Sequence, residues 1–428
     1  MAQLQRTTVL TLVVVGIFLS LSTALLANGA NLIGLTPQSI AMGGTGIANP
    51  NGTESIVKNP ALLPRYQTTT VVFGGTYAVL SPEARVNYTG GALTADTGYV
   101  KSNITAFAIP DVAIITPLNE TVGFGLGLFA TSGFGLDQRG RPYFADIRSH
   151  VMALKLVPAI GVQTGPWGFG LSTHITYGLL NFAAQMPDQT GAPETTQQRS
   201  GGLSDSLSVG YQIGGSYQLN DAVILGASYL SPVALNFKQI FDFDRNGTYD
   251  NLELELPAEV GIGVSATLGK WRLTSDIKQI FWSQAKGFKN LLWRDQTALA
   301  LGAQYDVSNS LALRFGYNYA PSVIPNKSNL SATNGGYSFG GAQFLDSNIA
   351  FFNTAGMGAV IGEHILTTGL GMSFNKRLSL DASVAYVLSN TITQSGKTSF
   401  GAPDNTDVSY STRSSALFTS LALSWKFD

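Results

Sequence analysis

The 428 residues carry a formal net charge of −1, with 12% charged and 44% hydrophobic, a balance that fits neither a disordered chain nor a charged soluble globule. No basic run supplies the phosphate neutralisation that nucleic acids demand, so DNA and RNA are excluded as partners. The absence of cysteine excludes thiolate metal sites, thiol catalysis and a disulfide framework.

In chain order, Arg6 precedes the apolar run Val9 to Leu21 and then the stretch Ser22 to Ala27. That order predicts a secretory signal peptide over residues 1–27, cut near Ala27. The alternative, a single anchor helix, has too short an apolar core for the ~20 residues that span a bilayer.

Residues 28–66 show no strand period. Asn31-Leu32-Ile33-Gly34, Ala41 to Ala48 and Lys58 to Pro64 hold too much Gly and Pro for a strand and are too apolar for a free tail. They are expected to form a plug inside the space that the rest of the chain encloses.

From residue 67 the period is two. Leu207, Val209, Tyr211 and Ile213 alternate with Ser206, Ser208, Gly210 and Gln212, and Val260, Ile262 and Val264 alternate with Gly261, Gly263 and Ser265. Fourteen strands are expected near 67–80, 103–116, 121–134, 147–164, 167–183, 203–219, 222–238, 252–268, 270–283, 295–307, 310–320, 361–374, 377–390 and 410–427. Many reach the ~9 to 11 residues of a tilted membrane strand. Short turns, such as Gly165-Pro166, Asn220-Asp221 and Asn375-Lys376, interleave with long loops near 81–102, 184–202, 239–251 and 321–360. This alternation predicts an all-β fold, a 14-stranded antiparallel transmembrane β-barrel over 67–428 with both ends in the periplasm of a Gram-negative cell. Closure follows because lipid offers an open sheet edge no hydrogen-bond partners.

A Gly-rich segment leading to Asn59-Pro60-Ala61, followed directly by fourteen strands, resembles the FadL/TodX/OmpP1 family of outer-membrane transporters. Pro110 to Gly135, Leu256-Pro257-Ala258 to Trp282-Ser283, Tyr305 to Pro325 and the last strand extend the similarity, although Asp428 follows the expected terminal Phe427. The resemblance implies a hatch over 28–66 carrying the Asn59, Pro60, Ala61 motif. It also implies passive uptake of long-chain fatty acids or other hydrophobic small molecules, and a kink in the third strand that opens a lateral exit. The matching stretch is Gly123 to Gly135, whose glycines suit either a bend or simple room for the hatch.

Charged residues on the lumen parity are candidates to hold a carboxylate head group: Lys155, Lys278 and Arg314 foremost, each of which could instead pair with Glu259, Asp276, Asp381 or the hatch. Asp242, Asp244, Asn246, Asp250 and Glu253, with Gly247 between them, fit a twelve-residue calcium loop, so a calcium ion in an extracellular loop is the one cofactor the sequence suggests. The flanks read as strands rather than helices, which equally fits a plain acidic loop. Gly396-Lys397-Thr398 lacks the rest of a phosphate loop, and no Gly-x-Ser-x-Gly elbow is present. A monomeric, non-enzymatic transporter surrounded by outer-membrane lipid and lipopolysaccharide is therefore expected. The alternative is a non-selective porin or a structural barrel, with residues 28–66 outside the lumen.

Overall fold

The computed structural model describes residues 28–90, 93–186, 197–199, 201–244, 246–333, 335–339, 342–398 and 405–427; the expected signal segment lies outside them. Fourteen strands form the wall. They are β1 (Thr69–Leu80), β2 (Ala106–Pro117), β3 (Val122–Asp137), β4 (Arg148–Thr164), β5 (Trp167–Met186), β6 (Leu203–Gln218) and β7 (Val223–Leu230). The others are β8 (Glu259–Leu268), β9 (Trp271–Ile280), β10 (Gln296–Ser308), β11 (Leu311–Tyr319), β12 (His364–Ser373), β13 (Leu378–Thr398) and β14 (Thr406–Phe427). Each pairs antiparallel with the next. β14 returns to β1 from Thr69 opposite Phe427 to Leu80 opposite Ala416, which closes the barrel.

The alternation sets the two faces. On β6, Leu207 and Val209 are 68% and 62% exposed, whereas Ser206 and Gln212 are buried towards the lumen. Aromatic pairs gather near the short turns, with Trp167 and Tyr217 rings 4.4 Å apart and Trp271 and Tyr305 rings 4.7 Å apart, as a membrane-interface girdle requires. No helix among the described residues is long and apolar enough to cross a membrane.

Two expected strands, 222–238 and 252–268, are not continuous. The wall strand β7 stops at Leu230 and β8 starts at Glu259; between them Val233–Phe241 and Asp250–Leu256 pair as a separate hairpin, Val233 opposite Leu256. Pro232 and Pro257 stand at its two roots, where a residue without an N–H cannot continue a ladder. The facing reverses there. Leu225 on β7 is 40% exposed to lipid, but Leu235, on the same parity, is 1% exposed; Ile262 on β8 is 60% exposed and Leu254 2%. The hairpin has folded over the lumen, its Asn236 N–H donating to Ser206 Oγ (2.8 Å) and its Lys238 N–H to Ser204 Oγ (3.0 Å). Its apolar face joins a core in the extracellular half of the barrel with the helix Asp346–Ala355 and the rings of Trp282, Phe288 and Trp293.

Candidate transport pathway

Residues 28–66 lie within the barrel as short helical turns, Pro37–Ala41, Ser55–Lys58 and Pro60–Arg65, nearly all buried. Asn59 shows how this segment is fixed. Its Oδ1 caps the turn beginning at Pro60 by accepting from the Ala61 N–H (3.0 Å), while its Nδ2 donates to the Ile47 carbonyl (2.6 Å) and the Gly215 carbonyl of β6 (3.0 Å). From the wall, Asp276 Oδ2 accepts from the N–H groups of Gly46 (2.7 Å) and Ile47 (3.0 Å), and Asn318 Nδ2 donates to the Gly43 carbonyl (2.9 Å). Wall glycines make this approach feasible: a Cβ on Gly316 would collide with the Gly43 nitrogen, and one on Gly226 with the Ile47 carbonyl.

On the hatch's upper side a cavity of about 70 Å³ is bounded by Lys155, Lys278, Glu259, Lys58 and Asn31, with Leu35, Val57, Leu230, Val233 and Leu256 as apolar walls. The charges there are unequally matched. Glu259 takes Lys278 Nζ at 3.0 Å on one oxygen and Asn31 Nδ2 at 2.8 Å on the other. Lys58 Nζ donates to the carbonyls of Ile33 (2.6 Å) and Gly44 (3.2 Å) and lies 3.6 Å from Glu54. Lys155, 4% exposed, has no hydrogen-bond or ion-pair partner among the described residues.

Arg314 is elsewhere. Its Nη1 donates to Asp381 (2.6 Å) and its Nε to Gln304 (2.8 Å), at a separate polar vestibule of about 530 Å³ that reaches the periplasmic turn Ser308 to Ser310. The hatch thus divides the three sequence-selected cations into two above it and one below. The hatch residues Asn31 and Lys58 and the lid residues Val233 and Leu256 complete the upper cavity. Sequence reasoning did not single them out, because a segment without a period gives no face for a residue, and a lid strand reads like a wall strand.

The third strand carries an irregularity within the stretch singled out by the sequence. Its pairing with β4 slips between Ala130 and Ser132, and its pairing with β2 ends at Phe129 opposite Asp111. Above that rung, Ala106 to Pro110 of β2 have lost β3, and the free edge of β3 is taken up by the hatch: Leu32 N–H donates to the Thr131 carbonyl (3.1 Å) and Gly133 N–H to the Ala30 carbonyl (3.0 Å). A seam results between β2 and β3. Gly123 and Gly125, lower on the same strand, face Leu63 and Ile56 and make room for the hatch, while the slip itself falls at Ala130 to Ser132 and not at a glycine. Inside the seam, Leu32, Leu35 and Ile40 of the hatch and Ile109 and Phe418 of the wall enclose a small apolar void.

At the lid's tip, the carboxylates of Asp242, Asp244 and Asp250 come within 4.8 Å of one another. Asn246 Oδ1 accepts from the Thr248 N–H, and Glu253 pairs with Lys286 at 3.0 Å. Three of the five calcium-loop residues therefore converge, their carboxylates accepting from loop N–H groups of Phe243, Asn246 and Gly247, and the other two are turned to Thr248 and Lys286.

A plugged fourteen-stranded barrel with a seam at its third strand is matched by a family model over residues 18–333, that of the outer membrane protein transport proteins (OMPP1/FadL/TodX). The chain belongs to that family. It is accordingly an outer-membrane transporter of hydrophobic compounds in a Gram-negative bacterium. The long-chain fatty acid transport protein of Escherichia coli (strain K12) is 22% identical over 338 residues, 63% of this chain and 73% of that protein. Outer membrane protein P1 of Haemophilus influenzae is 23% identical over 372 residues, 70% and 80% of the two chains. The fold is shared with a Pseudomonas aeruginosa FadL homologue, at a TM-score of 0.70 and 14% identity over 96% of this chain and all of the other. It is shared also with the Pseudomonas putida toluene transporter TodX, at 0.64 and 18%, over 92% and 99%. The family is one of transport channels, not enzymes.

Proposed function

We propose that this chain passes long-chain fatty acids by diffusion, its cargo's carboxylate resting on Lys155 above the hatch and its tail leaving through the seam between β2 and β3. Lys155 carries the argument. A buried ammonium with no partner is costly, and a carboxylate supplies the charge-assisted bond it lacks while the apolar lid and hatch residues take the first methylenes. Among the relatives, some are named for long-chain fatty acids and others for toluene. A neutral aromatic hydrocarbon offers Lys155 only a cation–π contact, weaker than the charge-assisted hydrogen bond of a carboxylate, which favours the first class. Lys278 and Arg314, each held by a carboxylate, act in this scheme as structural partners of Glu259 and Asp381. Passage needs no energy source when every step is a move between neighbouring apolar or charge-matched sites.

Oleate uptake and oleate binding by wild type, Lys155→Ala, Lys278→Ala and Arg314→Ala test this. Loss of a hydrogen bond to a charged group, about 1.5–3 kcal/mol, weakens binding roughly 10- to 100-fold in Lys155→Ala. Arg314→Ala is expected to bind oleate as wild type does. Equal binding by wild type and Lys155→Ala sinks the assignment.

A further inference from the structure

The seam adjoins a second apolar space, on the outside of the barrel. A groove of about 870 Å³ crosses the lipid-facing surface of β2, β1, β14, β13, β12 and β11. Its floor includes the small outward residues Gly75, Ala108, Pro110, Thr368, Ala382 and Thr419, between larger outward neighbours such as Phe73, Tyr77 and Phe315. One rung links the six strands: Pro110 stands opposite Gly75, Gly75 opposite Leu421, Leu421 opposite Ala382, Ala382 opposite Leu370 and Leu370 opposite Leu313. Five strand-to-strand steps of about 4.8 Å give it a length of roughly 24 Å.

Packing does not require glycine at position 75. A Cβ added at Gly75 would meet only the Ile109 carbonyl oxygen at 3.5 Å and Pro110 Cα at 4.0 Å, both ordinary contacts. The groove also begins where the wall parts. Ala108, Ile109 and Pro110 line it, and these belong to the stretch of β2 that has lost its β3 partner. Through the same wall, Ile109 and Thr76 line the inner void against Leu32 and Leu35 of the hatch. Apolar space thus lies on both faces of one wall segment, next to the β2 side of the seam.

Building on the reading that cargo leaves through the seam, we propose that this outer groove receives the departing molecule's alkyl tail and holds it against the barrel before it joins the bilayer. The occupant is an unbranched acyl chain, because the groove is long and largely apolar and because it starts at the stretch of β2 that has lost its β3 partner.

Filling the groove from the lipid side tests this. Gly75→Phe and Ala382→Phe, and the milder Thr368→Leu, are compared with Ala227→Phe, an outward position on β7 beyond the groove. Oleate uptake by cells and oleate binding by the purified, heat-modifiable barrels are both measured. The expected result is loss of uptake in the groove variants with binding retained, and normal uptake in Ala227→Phe. Unchanged uptake in folded Gly75→Phe and Ala382→Phe overturns the groove. So does a wild-type dimer that the groove variants lose together with uptake, since a second copy would then be the occupant. Failure of wild type itself to raise oleate uptake above cells lacking the protein overturns the cargo assignment instead.

Discussion

Asn59 Nδ2 donates to the Gly215 carbonyl across 156 residues of sequence, so the hatch is tied to the wall by the same side chain that caps its own last turn. A group that serves both roles couples hatch position to hatch folding. Asn59→Ala removes the cap and the links to Ile47 and Gly215 together. Each bond is worth about 0.5–1.5 kcal/mol, so a loss of about 1.5–4 kcal/mol is expected, felt by the hatch. Limited proteolysis should cut residues 28–66 first, with the barrel intact; unchanged protease resistance would contradict the coupling.

Gly316 and Gly226 admit the hatch backbone where a side chain would strike Gly43 or Ile47. Gly316→Leu should therefore expel the hatch from its seat without breaking the wall ladder. Planar-bilayer recordings are expected to be silent for wild type and to show steady openings for the variant. Large steady currents from wild type would instead favour a water-filled porin.

Glu259 holds Lys278 and Asn31 and lies in the same cavity as Lys155. Glu259→Gln leaves the cavity with one more unmatched cation. Oleate should bind tighter by a few-fold to tenfold, in keeping with the gain of about 1–1.4 kcal/mol that a partly screened charge provides. Calorimetry reading weaker binding would place the carboxylate elsewhere.

Asp111 occupies the last rung before the seam, 3% exposed, and neither carboxylate oxygen has a hydrogen-bond partner. A buried carboxyl without a partner costs about 1–3 kcal/mol, so an apolar residue of similar size, Asp111→Val, is expected to raise stability by that amount in urea unfolding. A fall in stability would point to a partner for the carboxyl on the lumen side of the wall.

The converging carboxylates of Asp242, Asp244 and Asp250 at the lid's tip bear on the calcium loop. With Glu253 taken by Lys286, affinity should be that of a weak extracellular site, on the order of 10⁻⁴–10⁻³ M. Equilibrium dialysis should show calcium retained by wild type and lost from the double variant Asp242→Ala, Asp244→Ala. Equal retention by both would remove these residues as ligands.

The sequence by itself determined the wall. Alternation is a local property, since each residue's face follows from its neighbours along one strand, and turn lengths alone orient fourteen strands between two sides of a membrane. Tertiary structure decided what each charge does. Lys155, Lys278 and Arg314 each stand on the lumen-facing parity of their own strand, yet what each meets comes from distant segments: Arg314 meets Asp381 67 residues on, and the Glu259 that holds Lys278 also takes Asn31 from 228 residues away. Which cation is left over depends on how the hatch seats. The lid followed the same logic. Val233, Leu235 and Phe237 keep the period of β7, and only Pro232 and Pro257 hint that the chain turns inward, because a period of two fixes that two faces exist but not which one meets lipid.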